Sequence, residues 1–284
     1  MIIQTDARGW RRFYCPVCGH VEWVAPGQEL PEHYACPLCG AGRAKMLALD
    51  DKRLERHSVE VEELSPGLWR ASKRPPFHRE YNHFSYILAH PEGVLLFDAP
   101  PVLTPLALET VNSIGRARLL VVSHQDFVGF AGDWAAALGV PSWMGEGDEP
   151  LPGNRFVPDE RVTATRKIFE DVEIVPVPGH SPGSLAVYWG TAPGGPILCA
   201  GDALGVWEHP DGRTQLSFLQ ESRPGREICS LIARPVGWLA TCTGTLAAAD
   251  RPLKELLAKT DNCARPWRGE TGGVWLDQQS AGPG

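Results

Sequence analysis

From Val59 onward the chain alternates short apolar runs with turn residues: Leu68–Ala71, Phe84–Ala89, Val94–Phe97, Leu119–Val122, Val172–Val177, Leu185–Trp189 and Ile197–Ala200. Runs this short, rich in β-branched and aromatic residues and bounded by Gly, Pro, Asn or Asp, predict strands. Three segments carry helical spacing instead: Ala131–Leu138, Arg226–Ala233 and Pro252–Lys259, the last with Asp250 as its N-cap. Strands interleaved with helices predict an α/β or layered α+β domain. Before Val59 the pattern is different. Residues 1–48 hold many turn residues and little periodicity, so this segment predicts a small domain that needs a staple other than a core. The charged stretch Leu49–Arg56 predicts a linker (49–58) or a short helix. The larger domain then spans 59–265, and the Gly-rich, polar residues 266–284 predict a loose tail.

The length of 284 residues suits two unequal domains, and 43% hydrophobic residues are enough for a sizeable core. A net charge of −7 argues against a nucleic-acid partner, which needs a basic face. No apolar run is long enough for a membrane helix, and Met1–Trp10 carries none of the features of a signal peptide. These observations predict a cytoplasmic protein without a membrane partner, with oligomerisation left open. Of eight cysteines, Cys199, Cys229, Cys242 and Cys263 are scattered and the other four form two C-x-x-C pairs. In a reducing compartment such pairs predict a metal site rather than disulfides.

The pairs lie in Tyr14–His20 (YCPVCGH) and Ala35–Gly40 (ACPLCG). Two residues between the cysteines let both sulfurs reach one ion. The following glycine permits a tight turn that aims backbone N–H groups at the sulfurs. Cys15, Cys18, Cys36 and Cys39 therefore predict one tetrahedral thiolate site for iron or zinc. The stretch PGQELPEHYACPLCGAGRAKM, Pro26 to Met46, resembles the C-terminal half of a rubredoxin, which implies a single iron cycling between ferrous and ferric. The span between the knuckles is shorter than in free-standing rubredoxins, and Tyr34 stands where they carry Trp. A zinc ribbon uses the same ligands, so iron and zinc both stay open here.

In the larger domain three loops concentrate ligand-type residues: LLVVSHQDFVGFAG (Leu119–Gly132), PVPGHSPGS (Pro176–Ser184) and LCAGDAL (Leu198–Leu204). A strand ending in Ser-His-x-Asp puts His124 and Asp126 on the same side of one loop. A tight turn presents His180, and a strand end presents Asp202. Two His with one or two carboxylates on convergent loops form a plausible mononuclear site, and a set with open positions suits ferrous iron, with zinc and manganese also possible. In order and spacing these segments, with Asn82–Pro100 upstream, resemble the metallo-β-lactamase superfamily over residues 59 to 250. The resemblance implies an αββα sandwich with the site at one edge. It also exposes departures. The family's H-x-H-x-D-H loop here reads His124-Gln125-Asp126-Phe127-Val128-Gly129 and lacks two ligands in either of two registers. Thr243 or Cys242 stands where the last His of the family belongs. The full two-zinc set is absent. His124, His180 and Asp202 remain as ligands, with Asp126 as a fourth ligand or a base.

Three functions fit these residues. In the first, the metal activates water and Asp126 or Asp202 orients it against an ester, thioester, lactam or phosphodiester of a small molecule. In the second, the rubredoxin-like iron passes electrons from a partner reductase to an iron site in the large domain. In the third, a zinc ribbon docks a partner and the large domain is a non-catalytic scaffold. His83 could face the cleft, and Trp207, Glu208 and His209 could wall it. His20, His33, His57, His78 and His90 are expected to be solvated.

Overall fold

A computed structural model describes residues 9–76, 84–208, 214–219, 225–253, 257 and 274–276. Two compact units divide the chain. The first takes the residues up to Leu64 with Trp69–Trp143 and Glu149–Glu160, and the second takes Ser65–Leu68, Met144–Asp148 and the residues from Arg161 on.

The first unit begins with a cysteine module. Strands β1 (Arg11–Tyr14), β2 (Val21–Val24) and β3 (Leu47–Ala48) form a three-stranded antiparallel sheet in the order β2-β1-β3. Its core is small: Phe13, Val24, Leu30 and Met46 pack around the cysteine side chains. The charged stretch after it is a 3-10 turn, Lys52–Arg56, capped by the Asp51 carboxylate and anchored by buried Leu54. His20 and His57, expected in solvent, are buried. His20 closes the first knuckle with Nε2 3.1 Å from a Glu22 carboxylate oxygen, and the His57 ring packs against Tyr14.

A seven-stranded sheet follows, in the order β10-β9-β8-β7-β6-β5-β4. Its members are β4 (Ser58–Ser65), β5 (Leu68–Arg74), β6 (Ser85–His90), β7 (Gly93–Phe97), β8 (Ala117–Val122), β9 (Ser142–Gly145) and β10 (Glu160–Val162). The edge strand β4 carries Glu60, Glu62 and Glu63, charges that discourage pairing with another chain. β7 and β8 are parallel, so the chain must cross over between them, and helix α1 (Pro105–Ile114) makes the crossing. Thr104 caps α1 by accepting the Ala107 N–H, with Pro105 at the first helical position. Thr-Pro is a readable start signal that the periodicity argument passed over. Helix α2 (Ala131–Leu138) packs on β8, buries Trp134 and stops at left-handed Gly139.

In the second unit a six-stranded sheet runs β11-β12-β13-β14-β17-β18. Its strands are β11 (Arg166–Ile168), β12 (Val172–Pro176), β13 (Leu185–Trp189), β14 (Ile197–Gly201), β17 (Pro235–Thr241) and β18 (Thr245–Pro252). A smaller sheet joins β15 (Leu204–Glu208), β16 (Thr214–Phe218) and β19 (Val274–Leu276) in the order β15-β16-β19. The core of this unit includes Val177, Leu198, Leu204, Leu216, Leu239 and, from α3 (Arg226–Leu231), Ile228. Two expectations change here. Asp250 and Pro252 belong to β18, so the strand continues through the expected N-cap, and of the expected helix only Leu253 and Leu257 are described as helical. Val274–Leu276, expected in a loose tail, is a β-favouring Val-Trp-Leu trio that pairs with β16. The remainder of that tail, His78, His83 and His209 lie outside the described residues. Cys229 is disulfide-bonded, and Cys199 and Cys242 are buried. Among the described residues no helix is long and apolar enough to cross a membrane.

Candidate metal centres

The two cysteine knuckles have the same backbone design. Cys15 N–H donates to the His20 carbonyl and Gly19 N–H to Cys15, and Cys36 N–H donates to Ala41 and Gly40 N–H to Cys36. Gly19 and Gly40 close these turns at φ 87 and 71, a region that a side chain resists. Sulfurs from opposite knuckles meet: Cys15 and Cys39 lie 3.6 Å apart, as do Cys18 and Cys36, and all four lie within 4.8 Å of one another. Four sulfurs at about 2.3 Å from one tetrahedral ion would be about 3.8 Å apart, so the set fits an ion without rearrangement. Hydrogen bonds among the sulfurs hold the Cys18 thiol proton firmly and pull the Cys36 thiol far below its usual range, with the N–H groups of Leu38 and Cys39 also favouring a Cys36 thiolate. Backbone N–H groups aimed at sulfur are the support that a metal thiolate uses.

His124 follows β8, and the end of that strand is fixed by Asp98. This buried carboxylate accepts the Ser123 N–H at 2.7 Å, and its own backbone sits at φ 63, unusual for a residue with a side chain. The His124 ring is buried, with Nδ1 2.9 Å from Ser123 Oγ and Nε2 3.8 Å from an Asp126 carboxylate oxygen. In the second unit His180 has the same arrangement. Its Nδ1 donates to the Leu219 carbonyl at 2.7 Å, and its Nε2 lies 3.8 Å from an Asp202 carboxylate oxygen. A gap of 3.8 Å is too long for a hydrogen bond and only about 0.4 Å longer than the ~3.4 Å between two ligands about 2.1 Å from a shared tetrahedral ion. The structure thus pairs His124 with Asp126 in one unit and His180 with Asp202 in the other.

The turn that carries His180 rests on a residue the sequence reading missed. Asp148, fully buried, accepts the Ser181 hydroxyl and the Gly183 N–H, both at 2.7 Å. Ser181 Oγ also lies 2.8 Å from Ser184 Oγ. Gly183 has no room for a side chain, since a Cβ there would sit 2.8 Å from Asp148. The signal available was an acidic residue in the Gly-rich turn Glu146-Gly147-Asp148 after a strand. In the turn where the sequence resemblance expects a histidine and Cys242 or Thr243 stands, Thr243 uses its hydroxyl to accept the Val206 N–H at 2.9 Å, and Thr241 closes the turn by bonding the Gly244 carbonyl. That hydroxyl is committed to the backbone, and Cys242 beside it is 2% exposed.

No family model matches the sequence, and no curated protein matches it. Solved structures do. VMB-1 is similar at 13% identity with a TM-score of 0.54, over 73% of this chain and 99% of that one. A metallo-β-lactamase from Cronobacter sakazakii is similar at 18% identity and a TM-score of 0.45, over 75% of this chain and 87% of that one. The chain has the metallo-β-lactamase fold. TTHA1623 in a di-iron-bound form is similar at 18% identity and a TM-score of 0.44, over 61% of this chain and 95% of that one. The expected metallo-β-lactamase-like fold of mixed sheets with few helices, with a four-cysteine cluster near the N-terminus, is therefore the one observed. At these identities the metallo-β-lactamase fold is what is shared, and the chemistry rests on this chain's own residues.

Proposed function

We propose that the protein is a metal-dependent hydrolase of the metallo-β-lactamase fold, with the pairs His124–Asp126 and His180–Asp202 as its metal-binding side chains and a further ion, structural, in the four-cysteine module. The observation that carries this reading is the repeated half-site: an imidazole fixed through Nδ1, with Nε2 turned to a carboxylate at non-bonding distance. The donor set of imidazole and carboxylate fits zinc or iron. When bound, the ion supplies Lewis acidity and an activated water. The protein's own work is positional. Asp98 and Ser123 orient His124, Leu219 and the Asp148-held turn orient His180, and Asp126, with its side chain 26% exposed, is placed to take a proton from an entering water. The substrate class is a small ester, thioester, lactam or phosphodiester. Thr243 in place of a histidine, with its hydroxyl accepting the Val206 N–H, supports the mononuclear reading.

One observation favours a second reading, an iron oxidoreductase fed through the module by a reductase: within the first unit the Gly19 carbonyl of the first knuckle lies against Gly129, five residues beyond His124. Elemental analysis with an absorption spectrum tests both. Two ions per chain, falling to one in a His180→Ala, Asp202→Ala variant that also loses turnover of chromogenic esters or phosphodiesters, is the expected result. One ion in both chains removes the large-domain metal, and a red protein with two irons and no hydrolysis transfers the assignment to redox chemistry.

A further inference from the structure

The four-cysteine module is packed, within its own unit, onto the segment that follows His124 and Asp126. A Cβ at Gly129, which sits at φ 32, would lie 3.5 Å from the Gly19 carbonyl, so the two glycine turns are in near contact. Asn154 spans the junction: its Nδ2 donates to the Val21 carbonyl at 3.3 Å and to the Gly129 carbonyl at 3.5 Å, while its Oδ1 accepts the Phe156 N–H at 2.9 Å. Trp23 N–H donates to the Gly153 carbonyl at 2.8 Å. Phe130 at the end of the loop and Asp133 in the first turn of α2 are held as well. Phe130 packs on the Tyr14 ring at a centroid distance of 5.7 Å, and buried Asp133 accepts from buried Arg12 at 2.5 Å. Tyr14 and Arg12 are on β1, and Tyr14 is the residue before Cys15. Gly19, Tyr14 and Arg12 belong to a module whose core is a few side chains gathered on the cysteines, and Asn154 and Gly153 are themselves tied to that module through Val21 and Trp23. A module of that size folds when its ion binds.

We propose that the cysteine-bound ion is an ordering device for the loop that carries His124 and Asp126: filling the cysteine site folds the module, and the folded module fixes Gly129 and Phe130 through Gly19, Asn154 and Tyr14. Asn154 is then a positioning residue, remote from substrate. Zinc and iron serve equally, since the effect runs through the fold of the module. The proposal rests on the reading above only for what the loop carries; the coupling itself involves no second ion.

The test uses the full chain in a His180→Ala, Asp202→Ala background, so that the cysteines are the site left to fill. Stripped protein is loaded with one equivalent of cobalt, the thiolate–cobalt charge-transfer band reports filling, and hydrogen exchange is followed on residues 124–133. Filling is expected to slow exchange there by about tenfold or more, with β13 and β14 unchanged as a check on the rest of the fold. Asn154→Ala is expected to keep the cobalt band and lose part of that slowing at Val128–Phe130. Equal exchange in stripped and filled protein overturns the proposal, and full slowing in Asn154→Ala overturns the route through Asn154. The number of metals bound by the wild-type chain, measured separately, decides the large-domain site without bearing on this result.

Discussion

The turn bearing His180 and the module bearing the four cysteines solve the same problem, placing ligand atoms within a few ångströms, by opposite means. In the turn, Asp148, Ser181, Ser184 and the close approach of Gly183 fix the backbone with protein atoms alone. In the module, four sulfurs meet over a core too small to hold them. On the proposed reading, one site is built before any ion arrives and the other is built by its ion. The loop of His124 lies between these cases. Asp98 fixes its start, and Asn154, which also bonds the Val21 carbonyl of the cysteine module, holds its far end at Gly129.

The largest effect should come from removing the ion that builds. A Cys36→Ser, Cys39→Ser double variant should lose one ion and the fold of residues 11–48, because structural zinc in small domains contributes about 10–16 kcal/mol of binding free energy that is also folding free energy. Elemental analysis and the chemical shifts of the module read this directly, while the His180 turn should keep its native shifts. A variant that retained a folded module would break the contrast.

Next is the join between module and fold. Arg12 and Asp133 are an ion pair with side chains 3% and 5% exposed. Arg12→Met leaves the Asp133 carboxylate buried without its guanidinium, and on the order of 3 kcal/mol of stability should be lost in urea denaturation. Arg12→Met with Asp133→Leu should recover most of that loss, since what costs is the uncompensated charge rather than the absence of a pair. A double variant as unstable as the single one would mean that the pair is needed for its geometry.

A smaller effect is expected where the site is built in advance. Asp148→Ala removes two hydrogen bonds to a buried carboxylate, each contributing about 1.5–3 kcal/mol. Some of that is offset by relaxation of the turn, so a loss of a few kcal/mol is the upper range. Metal affinity at His180 should fall by about 10–100-fold, the usual consequence of loosening the support of a ligand, with cysteine-bound metal unchanged. Asp148→Asn, which can still accept from Gly183 and donate to Ser181, should lie close to wild type. Equal affinity in Asp148→Ala and wild type would show that the turn holds His180 without it.

The same contrast explains what could be seen in the sequence. The four-cysteine site was legible because its ligands and its turn glycines are contiguous, and a C-x-x-C-G knuckle admits few other uses. Strands β6, β7, β8, β13 and β14 were legible because they are buried over most of their length and so nearly continuous in apolar character, whereas the short polar strands β10 and β11 were not. Strand β4, with its glutamates, and the β18 strand through Asp250 carry no such signal, since an edge strand is allowed to be polar. His124, His180 and Asp202 were visible as residue types at strand ends. Asp148, Asp98 and Asn154 were not, because each acts on a backbone group 25 or more residues away in sequence. A pattern confined to a window has no access to such partners.

The finest distinction concerns acid. His57 packs edge-on against Tyr14, with ring centroids 5.8 Å apart, and its Nδ1 is buried with no partner among the described residues. Burial first, then the charges of Lys73 and Arg56, bring its pKa down to about 4 from 6.5. Lys73 is itself pushed down to about 8 by the same burial, which places its titration above the window that matters here. The sign follows from which state holds more protons. Between the two His57 values the unfolded chain is protonated at this residue and the folded chain is not, so acid favours unfolding. The contribution of His57 is intact above pH 6.5 and is lost as pH falls from 6.5 toward 4. Glutamine or phenylalanine at position 57 should flatten the stability of the first unit across that window relative to wild type, measured by denaturation at a series of pH values in excess zinc. The His180 turn, with its supports in the second unit, should show the same pH profile in both proteins. If the substitution left the slope of the first unit unchanged, His57 would be titrating in the folded protein as it does in the unfolded chain, and the acid sensitivity beside the cysteines would have to come from the thiolates alone.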